Sequence, residues 1–186
     1  NGGVEGEGGA LGTDEVELAK NSRRVGNHGS DERYDHEAVG VDSLSESLQA
    51  AVPRIELKHL DVYAKARNTA ADAYAKAETG ITAISTHDRS AFGTHVFHQY
   101  TLRVRDGHRD ALKKHLESKG VPAMIYYPVA CHLQNAYKSS RSPEGSLPVT
   151  EQLAHEVLSL PMSTELDTEQ LAHITGAVQD FFNINK

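Results

Sequence analysis

Two pairs of neighbouring side chains have reactive chemistry, but their spacing supports neither a metal site nor a nucleophile. His95 and His98 lie three residues apart in a segment with strand-like alternation, and side chains at that separation point to opposite faces of a strand. Cys131 and His132 could form a thiol–imidazole pair, yet the sequence names no third group that would orient the imidazole. We therefore predict no metal site and no cysteine nucleophile.

The composition excludes several classes of protein. The chain carries 19 basic and 26 acidic residues, a net charge of −7, without a basic stripe, so nucleic acid is not an expected partner. No run of about 18 apolar residues occurs, so we expect no membrane-spanning helix. The single cysteine, Cys131, excludes an intrachain disulfide and fits a reducing compartment. We expect a cytoplasmic protein.

The first half of the chain is predicted to hold a short helix, a long loop and a long helical run. Six glycines among residues 1–12 predict a tight turn, and they are not a dinucleotide-binding fingerprint because no strand precedes them. A helix is predicted from a cap at Thr13 or Asp14 to about Gly26, with acidic residues first and basic residues last. Residues 27–43 are polar and irregular, and loops of that length are usually functional.

Residues 44–78 show apolar side chains at helical spacing, interrupted by Pro53. A proline inside a helix costs roughly 3 kcal/mol, so we expect a kink or two abutting helices.

The second half is predicted to be a small α+β unit. Its predicted elements are a strand alternating from Val96 to Val104, a helix over 107–119, a strand over 121–127, a loop over 139–148, and helices over about 149–158 and 168–182. In the first of these helices Ala111, Leu112, His115 and Leu116 should face inward, and Asp167 should cap the last one.

A series of short pieces resembles the DegT/DnrJ-type sugar aminotransferases in order and spacing, over about residues 1–182. The pieces are Gly-Glu-Gly-Gly-Ala-Leu at 6–11, Arg-Val-Gly-Asn-His-Gly at 24–29, Arg-Tyr-Asp-His at 33–36, Val-Gly-Val-Asp-Ser at 39–43, Leu-Gln-Ala-Ala at 48–51, His-Gln-Tyr at 98–100, Tyr-Pro-Val at 127–129 with His-Leu-Gln at 132–134, and Leu-Ser-Leu-Pro-Met at 158–162.

This resemblance implies an α/β fold, the fold-type I architecture of enzymes dependent on pyridoxal 5′-phosphate (PLP). Residues 1–43 would be the end of the large PLP-binding domain, residues 44–78 the connecting long helix kinked at Pro53, and residues 79–186 the small C-terminal α+β domain. It also implies a homodimer with shared active sites. Separated from the rest of the large domain, residues 1–43 should expose apolar surface.

The resemblance places the lysine that binds PLP immediately before Asn1, so no catalytic residue is expected within the chain. Gly8, with its neighbours, should allow close chain approach beside the cofactor. Asp42 and Ser43 stand where the family has an Asn-Ser pair that contacts the PLP phosphate, and Leu44 stands where the family has an arginine. The change at Asp42 brings a carboxylate near a phosphate. Asp42 and Ser43 could alternatively cap the long helix.

Five residues are candidates for substrate binding by the same resemblance. Tyr34 and His36 lie in the long loop that the family places near the active site of the partner subunit. Tyr126 and Tyr127 stand where the family has a His-Tyr pair facing the nucleotide-sugar, and His132 matches a family histidine near the sugar. A tyrosine pair packing at a strand end is the alternative for Tyr126 and Tyr127.

The implied function is PLP-dependent transamination of a nucleotide-linked keto-sugar, with glutamate as amino donor, for a surface polysaccharide, such as a lipopolysaccharide, or a related glycan. One alternative is a pyridoxamine-phosphate-dependent sugar dehydratase of the same fold, in which histidine replaces the lysine. Another is a non-catalytic partner or regulator, which the altered segment from Asp42 to Leu44 supports.

Overall fold

The computed structural model describes residues 10–32, 35–43, 47–86 and 88–184. The chain divides into two units, Asn1–Leu60 and Asp61–Lys186. The boundary falls inside the predicted connecting helix, and the assignment of residues 1–43, 44–78 and 79–186 to parts of a larger protein remains a prediction. None of the helices in the described ranges is both long and apolar enough to cross a membrane.

Helix α1 of the first unit, Val16–Gly26, ends where the glycine predicts. Its N-cap is Glu15, one or two residues later than predicted, and the Glu15 amide donates to Thr13 Oγ1 at 3.1 Å. The acidic first turn and the basic last turn match the helix dipole. Helix α1 buries no residue, and Leu11, Val16, Leu18 and Val25 are exposed. This segment therefore shows the exposed apolar surface that the sequence predicts.

The polar segment after α1 contains a short hairpin, which sequence reasoning treated as an irregular loop. Strand β1, Ser30–Glu32, pairs antiparallel with β2, Asp35–His36.

The helical run contains two helices separated by a single turn, as the abutting-helix alternative predicts. Helix α2, Ser47–Glu56, contains Pro53 and is followed by a 3₁₀ turn at Leu57–His59. Helix α3, Leu60–Ala77, comes next in the chain. Since Pro53 has no amide hydrogen, it cannot donate to the carbonyl of the preceding turn. The helix changes its hydrogen-bond pattern four residues beyond it.

The second unit contains an antiparallel sheet in the order β3-β4-β5, formed by Ile84–Ser85, Tyr100–Val104 and Val157–Leu160. Burial alternates along β4, and its buried residues Tyr100 and Leu102 pair with Leu160 and Leu158. The predicted strand from Val96 is therefore confirmed only from Tyr100 onward. Phe97 has φ of 45°, which interrupts an extended backbone.

Around this sheet, one predicted strand is absent and one predicted helix is confirmed with an earlier end. Residues 121–127 form no strand, because only Met124 pairs with the sheet, through two backbone hydrogen bonds to Ser159 of 2.9 and 2.8 Å. Pro122 cannot donate a ladder hydrogen bond. The helix predicted over 149–158 is α5, Pro148–Glu156, and the chain then enters β5. Leu158 and Leu160 are two residues apart, so they lie on one face of the strand, where they pair with Leu102 and Tyr100 of β4.

The remaining helices are α4, Arg109–Ser118, and α6, Thr168–Ile184. Leu112 and Leu116 of α4 are buried as predicted and His115 is half-buried, but Ala111 is exposed, contrary to prediction. The cap of α6 is confirmed, because the Gln170 amide donates to Asp167 Oδ1 at 2.8 Å. The Asp167 amide donates back to Gln170 Oε1 at 3.1 Å, which completes a capping box.

The core of the second unit is one apolar cluster between the sheet and helices α3, α4 and α6. Its large, fully buried members are Tyr74, Phe97, Tyr100, Leu102, Val104, Leu112, Leu116, Val121, Leu158 and Val178.

A carboxyl group is buried at the edge of this core. Glu78 is 6% exposed, and the Tyr100 hydroxyl donates to its Oε2 at 2.9 Å. Its Oε1 has no hydrogen-bond partner among the described residues. Burial raises the pKa of Glu78 to about 7, and the hydrogen bond from Tyr100 offsets this rise only in part. The neutral acid is therefore the form that this environment favours below neutral pH.

We predict that Glu78 makes the second unit less stable as the pH rises. The folded protein keeps the Glu78 proton up to about pH 7, whereas an unfolded glutamate loses it near pH 4.5. Between those values the unfolded state binds fewer protons, so the free energy of unfolding falls as pH rises, by at most about 3 kcal/mol. Urea unfolding of Glu78→Gln at pH 5 and pH 8 should lack this part of the pH dependence.

The exposed Glu165 provides a matched control. Glu165→Gln should keep the pH dependence of the wild type. A stability difference between wild type and Glu78→Gln that is equal at both pH values would contradict the prediction.

Candidate functional site

The candidate cofactor segment of the first unit lies along the C-terminal end of α1. The His28 amide donates to the Val41 carbonyl at 3.0 Å, and the Val41 amide donates to the Val25 carbonyl at 2.8 Å. The Ser43 amide donates to the Gly26 carbonyl at 3.0 Å. Three backbone hydrogen bonds therefore fix the segment that presents Asp42 and Ser43.

Two glycines make this approach possible. A Cβ atom on Gly40 would lie 2.0 Å from the Gly29 nitrogen and 2.6 Å from the Val25 carbonyl oxygen. A Cβ atom on Gly29 would lie 1.7 Å from the Ala38 carbonyl oxygen, and Gly29 has φ of 77°. Both obstacles are backbone atoms, so no side chain can move aside. The Asn-His-Gly piece thus has a steric reason for its glycine.

His36 is held by the same turn. Its Nδ1 lies 2.9 Å from the His28 carbonyl oxygen and 2.8 Å from Ser30 Oγ. Because a carbonyl only accepts, we assign the proton to Nδ1, which leaves Nε2 of the neutral ring as an acceptor. The exposed His36 side chain is therefore an oriented base.

Asp42 and Ser43 are both exposed. Asp42 Oδ2 lies 3.8 Å from His28 Nε2, and Asp42 forms an antiparallel backbone bridge with Asn27. The described part of α2 begins at Ser47, so the alternative helix-cap role of Asp42 and Ser43 stays untested. The structure thus brings Asp42 and His36 to the same turn, with His28 contacting both.

Three sequence candidates lie outside the described residues. They are Gly8, Tyr34 and Leu44. Their predicted roles stay predictions.

Tyr126 and Tyr127 of the second unit follow the Met124 bridge. Tyr127 is 83% exposed and has φ of 55°, a conformation that is uncommon for a bulky residue and rarer before a proline. Tyr126 lines a pocket of about 80 Å³ together with His98, Met124 and Ser159. Neither tyrosine is buried, and their predicted binding role stays a prediction.

His132 lies in a 3₁₀ turn, Cys131–Leu133, and contacts a residue that sequence reasoning missed. His132 Nε2 lies 2.9 Å from Glu151 Oε1, and the two side chains are 9% and 17% exposed. The hydrogen bond from His132 lowers the pKa of Glu151, and backbone amides add to the effect. A glutamate in the first turn of α5 was visible in the sequence, but its partner 19 residues away was not.

Comparison with known proteins gives a family match over most of the chain. The family model of the DegT/DnrJ/EryC1/StrS aminotransferases matches residues 4–179. The chain is 38% identical to dTDP-3-amino-3,4,6-trideoxy-α-D-glucose transaminase of Streptomyces venezuelae, over 96% of this chain and 47% of that protein. It is 37% identical to UDP-N-acetyl-3-dehydro-α-D-glucosamine 3-aminotransferase of Acidithiobacillus ferrooxidans, over 95% of this chain and 47% of that protein.

A third relative has a different kind of name. The pleiotropic regulatory protein of Geobacillus stearothermophilus is 36% identical, over 97% of this chain and 48% of that protein. The chain therefore spans about half the length of the curated relatives that it matches.

Solved structures share the fold. The crystal structure of S. venezuelae DesV in complex with a ketimine intermediate matches with a TM-score of 0.87 and 36% identity, over 91% of this chain and 45% of that chain. NtdA from Bacillus subtilis, solved with bound cofactor PMP, matches with a TM-score of 0.82 and 24% identity, over 92% of this chain and 41% of that chain.

We predict that Gly40→Ala disrupts residues 27–43 locally. The added methyl cannot fit against the Gly29 backbone, so the segment should detach at a cost on the order of 2 kcal/mol or more. Hydrogen exchange should show lost protection of the His28, Val41 and Ser43 amides. Gly26→Ala is the matched control, since a Cβ there meets nothing within 4 Å. Equal protection in the two variants would refute the steric account.

Proposed function

This chain belongs to the DegT/DnrJ/EryC1/StrS aminotransferase family, and on that basis we propose that the complete protein is an aminotransferase that converts the ketone of a nucleotide-linked sugar to an amine. The family's cofactor is PLP, and the fold is part of the fold-type I architecture, as predicted. The single observation that carries the proposal is the match over nearly the whole chain to sugar transaminases.

The names of the relatives support a ketone at position 3 and glutamate as donor. They include a 3-dehydro, a 3-oxo and two 3-amino sugar transaminases, and a 3-oxo-glucose-6-phosphate:glutamate aminotransferase of B. subtilis. Both dTDP and UDP occur among these names, so either nucleotide could be part of the substrate. The product would serve surface polysaccharide or related glycan synthesis.

The residues of the first unit fit a phosphate-bearing cofactor in part. The backbone packs closely at Gly40, and Ser43, three residues later, is exposed. Its hydroxyl group could therefore donate a hydrogen bond to a phosphate oxygen. Asp42 has no proton to donate, and its carboxylate repels a phosphate. When bound, PLP would supply an electron sink for transamination.

The chain's other candidates would orient the substrate. His36, with its Nδ1 proton held by the His28 carbonyl, would accept a hydrogen bond from a sugar hydroxyl through Nε2. The phenol groups of Tyr126 and Tyr127 would donate to diphosphate oxygens without adding charge. The proton transfer itself we assign to the lysine expected just before Asn1, with active sites shared between two subunits.

A regulatory role is the second candidate. Asp42 replaces the asparagine that would contact the PLP phosphate, and one relative at 36% identity is named as a pleiotropic regulatory protein. In that role the complete protein would keep the family fold but would not catalyse transamination.

We predict that the complete protein, purified with PLP, shows a visible absorbance band that borohydride abolishes. Glutamate together with a 3-keto nucleotide-sugar should yield the 3-amino sugar, and a 4-keto isomer should react poorly. Product formation is measured by mass spectrometry. A well-folded protein without the band would favour the regulatory role, and a borohydride-insensitive protein with dehydratase products would favour the dehydratase.

We predict that Asp42→Asn strengthens PLP binding. Removing a negative charge beside the phosphate should tighten the dissociation constant a few-fold, on the order of 1 kcal/mol for a solvent-exposed pair. Fluorescence titration of the apoprotein with PLP measures this change. Asp35→Asn changes an exposed aspartate of β2 and should leave the affinity unchanged. Weaker binding in Asp42→Asn would contradict the assignment of Asp42 to the phosphate.

A further inference from the structure

A pocket of about 360 Å³ lies between the Cys131–Leu133 turn and the loop that follows it. Its polar lining consists of His132, Lys138, Ser139, Ser140, Ser142 and Glu144. The pocket therefore combines one ammonium, three hydroxyls, one imidazole and one carboxylate within a single loop of the second unit.

The Glu151 carboxylate accepts hydrogen bonds that fix the conformation of this loop. The Gly145 amide donates to both oxygens of the carboxylate, each at 2.9 Å, and the Leu147 amide donates to Oε1 at 3.3 Å. His132 contributes a fourth contact at 2.9 Å. Backbone amides and an imidazole hydrogen-bond to this carboxylate, and Glu151 itself is not among the residues that line the pocket.

The loop carries two cations, Lys138 and Arg141. Neither Lys138 nor Arg141 forms an ion pair with any residue that the structure describes. Ser139 Oγ accepts from the Arg141 amide at 3.2 Å, which leaves the Ser139 hydroxyl proton to donate elsewhere. Glu144 is the one acid in the pocket lining, and a carboxylate accepts well from hydroxyl groups.

We propose that this pocket is a binding site for a phosphorylated sugar, in which Lys138 and the serine hydroxyls bind an oxyanion and Glu144 accepts from a sugar hydroxyl. Glu151 is a positioning residue, because it fixes the loop through His132 and two backbone amides. An ammonium with several hydroxyl donors suits a phosphate oxygen, since charge-assisted hydrogen bonds are stronger than neutral ones.

Two kinds of ligand would fit this site. One is the nucleotide-linked sugar of the proposed reaction, and this assignment rests on the proposed function. The other is a separate phosphorylated sugar. Both would present an oxyanion next to hydroxyl groups.

The test uses the complete protein loaded with PLP, so that the cofactor's own phosphate site is filled. Inorganic phosphate is titrated at constant ionic strength, and the thermal midpoint is followed. The wild type should be protected, and Lys138→Gln should bind phosphate roughly tenfold more weakly, as expected for the loss of one charge-assisted hydrogen bond. Lys114→Gln, an exposed lysine of α4, is the matched control and should resemble the wild type.

A second variant tests whether Glu151 positions the loop. Glu151→Gln keeps the size of the side chain but removes its charge, so phosphate protection should weaken while Lys114→Gln retains it. Should Glu151→Gln fail to fold, Lys138→Gln still decides the question. Unchanged phosphate protection in Lys138→Gln would overturn the site.

Steady-state kinetics with the nucleotide-sugar distinguish the two kinds of ligand. If KM for the nucleotide-sugar rises about tenfold in Lys138→Gln with kcat little changed, the site binds the substrate. If phosphate binding is lost while KM is unchanged, the site binds a separate phosphorylated sugar. A wild type that binds phosphate but has no transaminase activity would contradict the proposed function and leave the pocket standing.

Discussion

No Cβ atom fits between the backbone at Gly29 and the backbone at Gly40, and the polar segment of the first unit depends on that contact. Within the described part of residues 27–43, only Gly29 and Ser30 are buried, so burial of apolar side chains cannot hold the segment. Backbone hydrogen bonds hold it instead, and here they join two backbone segments that approach too closely for a side chain at Gly29 or Gly40. The positions of His36, Asp42 and Ser43 all follow from this approach.

Two glutamates of the second unit show how surroundings decide the role of one side-chain type. Glu78 is buried beside Tyr100 with one oxygen unpaired, and its pKa rises to about 7. Glu151 accepts from His132 and two backbone amides, and its pKa falls. Burial favours the neutral acid at Glu78, and hydrogen bonding favours the charged form at Glu151. Desolvation dominates at one position and hydrogen bonding at the other.

The departures from the family pattern lie in polar segments, and the apolar framework keeps the family fold. Asp42 and Tyr126 stand where the resemblance predicts an asparagine and a histidine, while the chain matches a solved relative with a TM-score of 0.87. Both positions are exposed in this chain, and the predicted change at Asp42 adds a negative charge. Such positions tune what a site binds at little cost to stability, because no packed neighbour has to move.

Much of the local structure could be read from the sequence, since its signals act between residues close in the chain. Gly26 ends α1, the Asp167–Gln170 pair caps α6, and Leu112 with Leu116 faces the core. The order of short motifs was sufficient to identify the family and its cofactor. The family's site residues were then expected at Asp42, Ser43, Tyr126, Tyr127 and His132.

Tertiary structure decided the rest, because the deciding partners are distant in sequence. Leu158 and Leu160 lie in a strand because they pair with Leu102 and Tyr100. Residues 121–127 form no strand, because they pair with the sheet only through the bridge to Ser159. Glu151 and His132 were visible as residue types, but not as a pair. A pattern along the chain records which side chains prefer burial, whereas hydrogen-bond partners and close backbone contacts are properties of the folded chain alone.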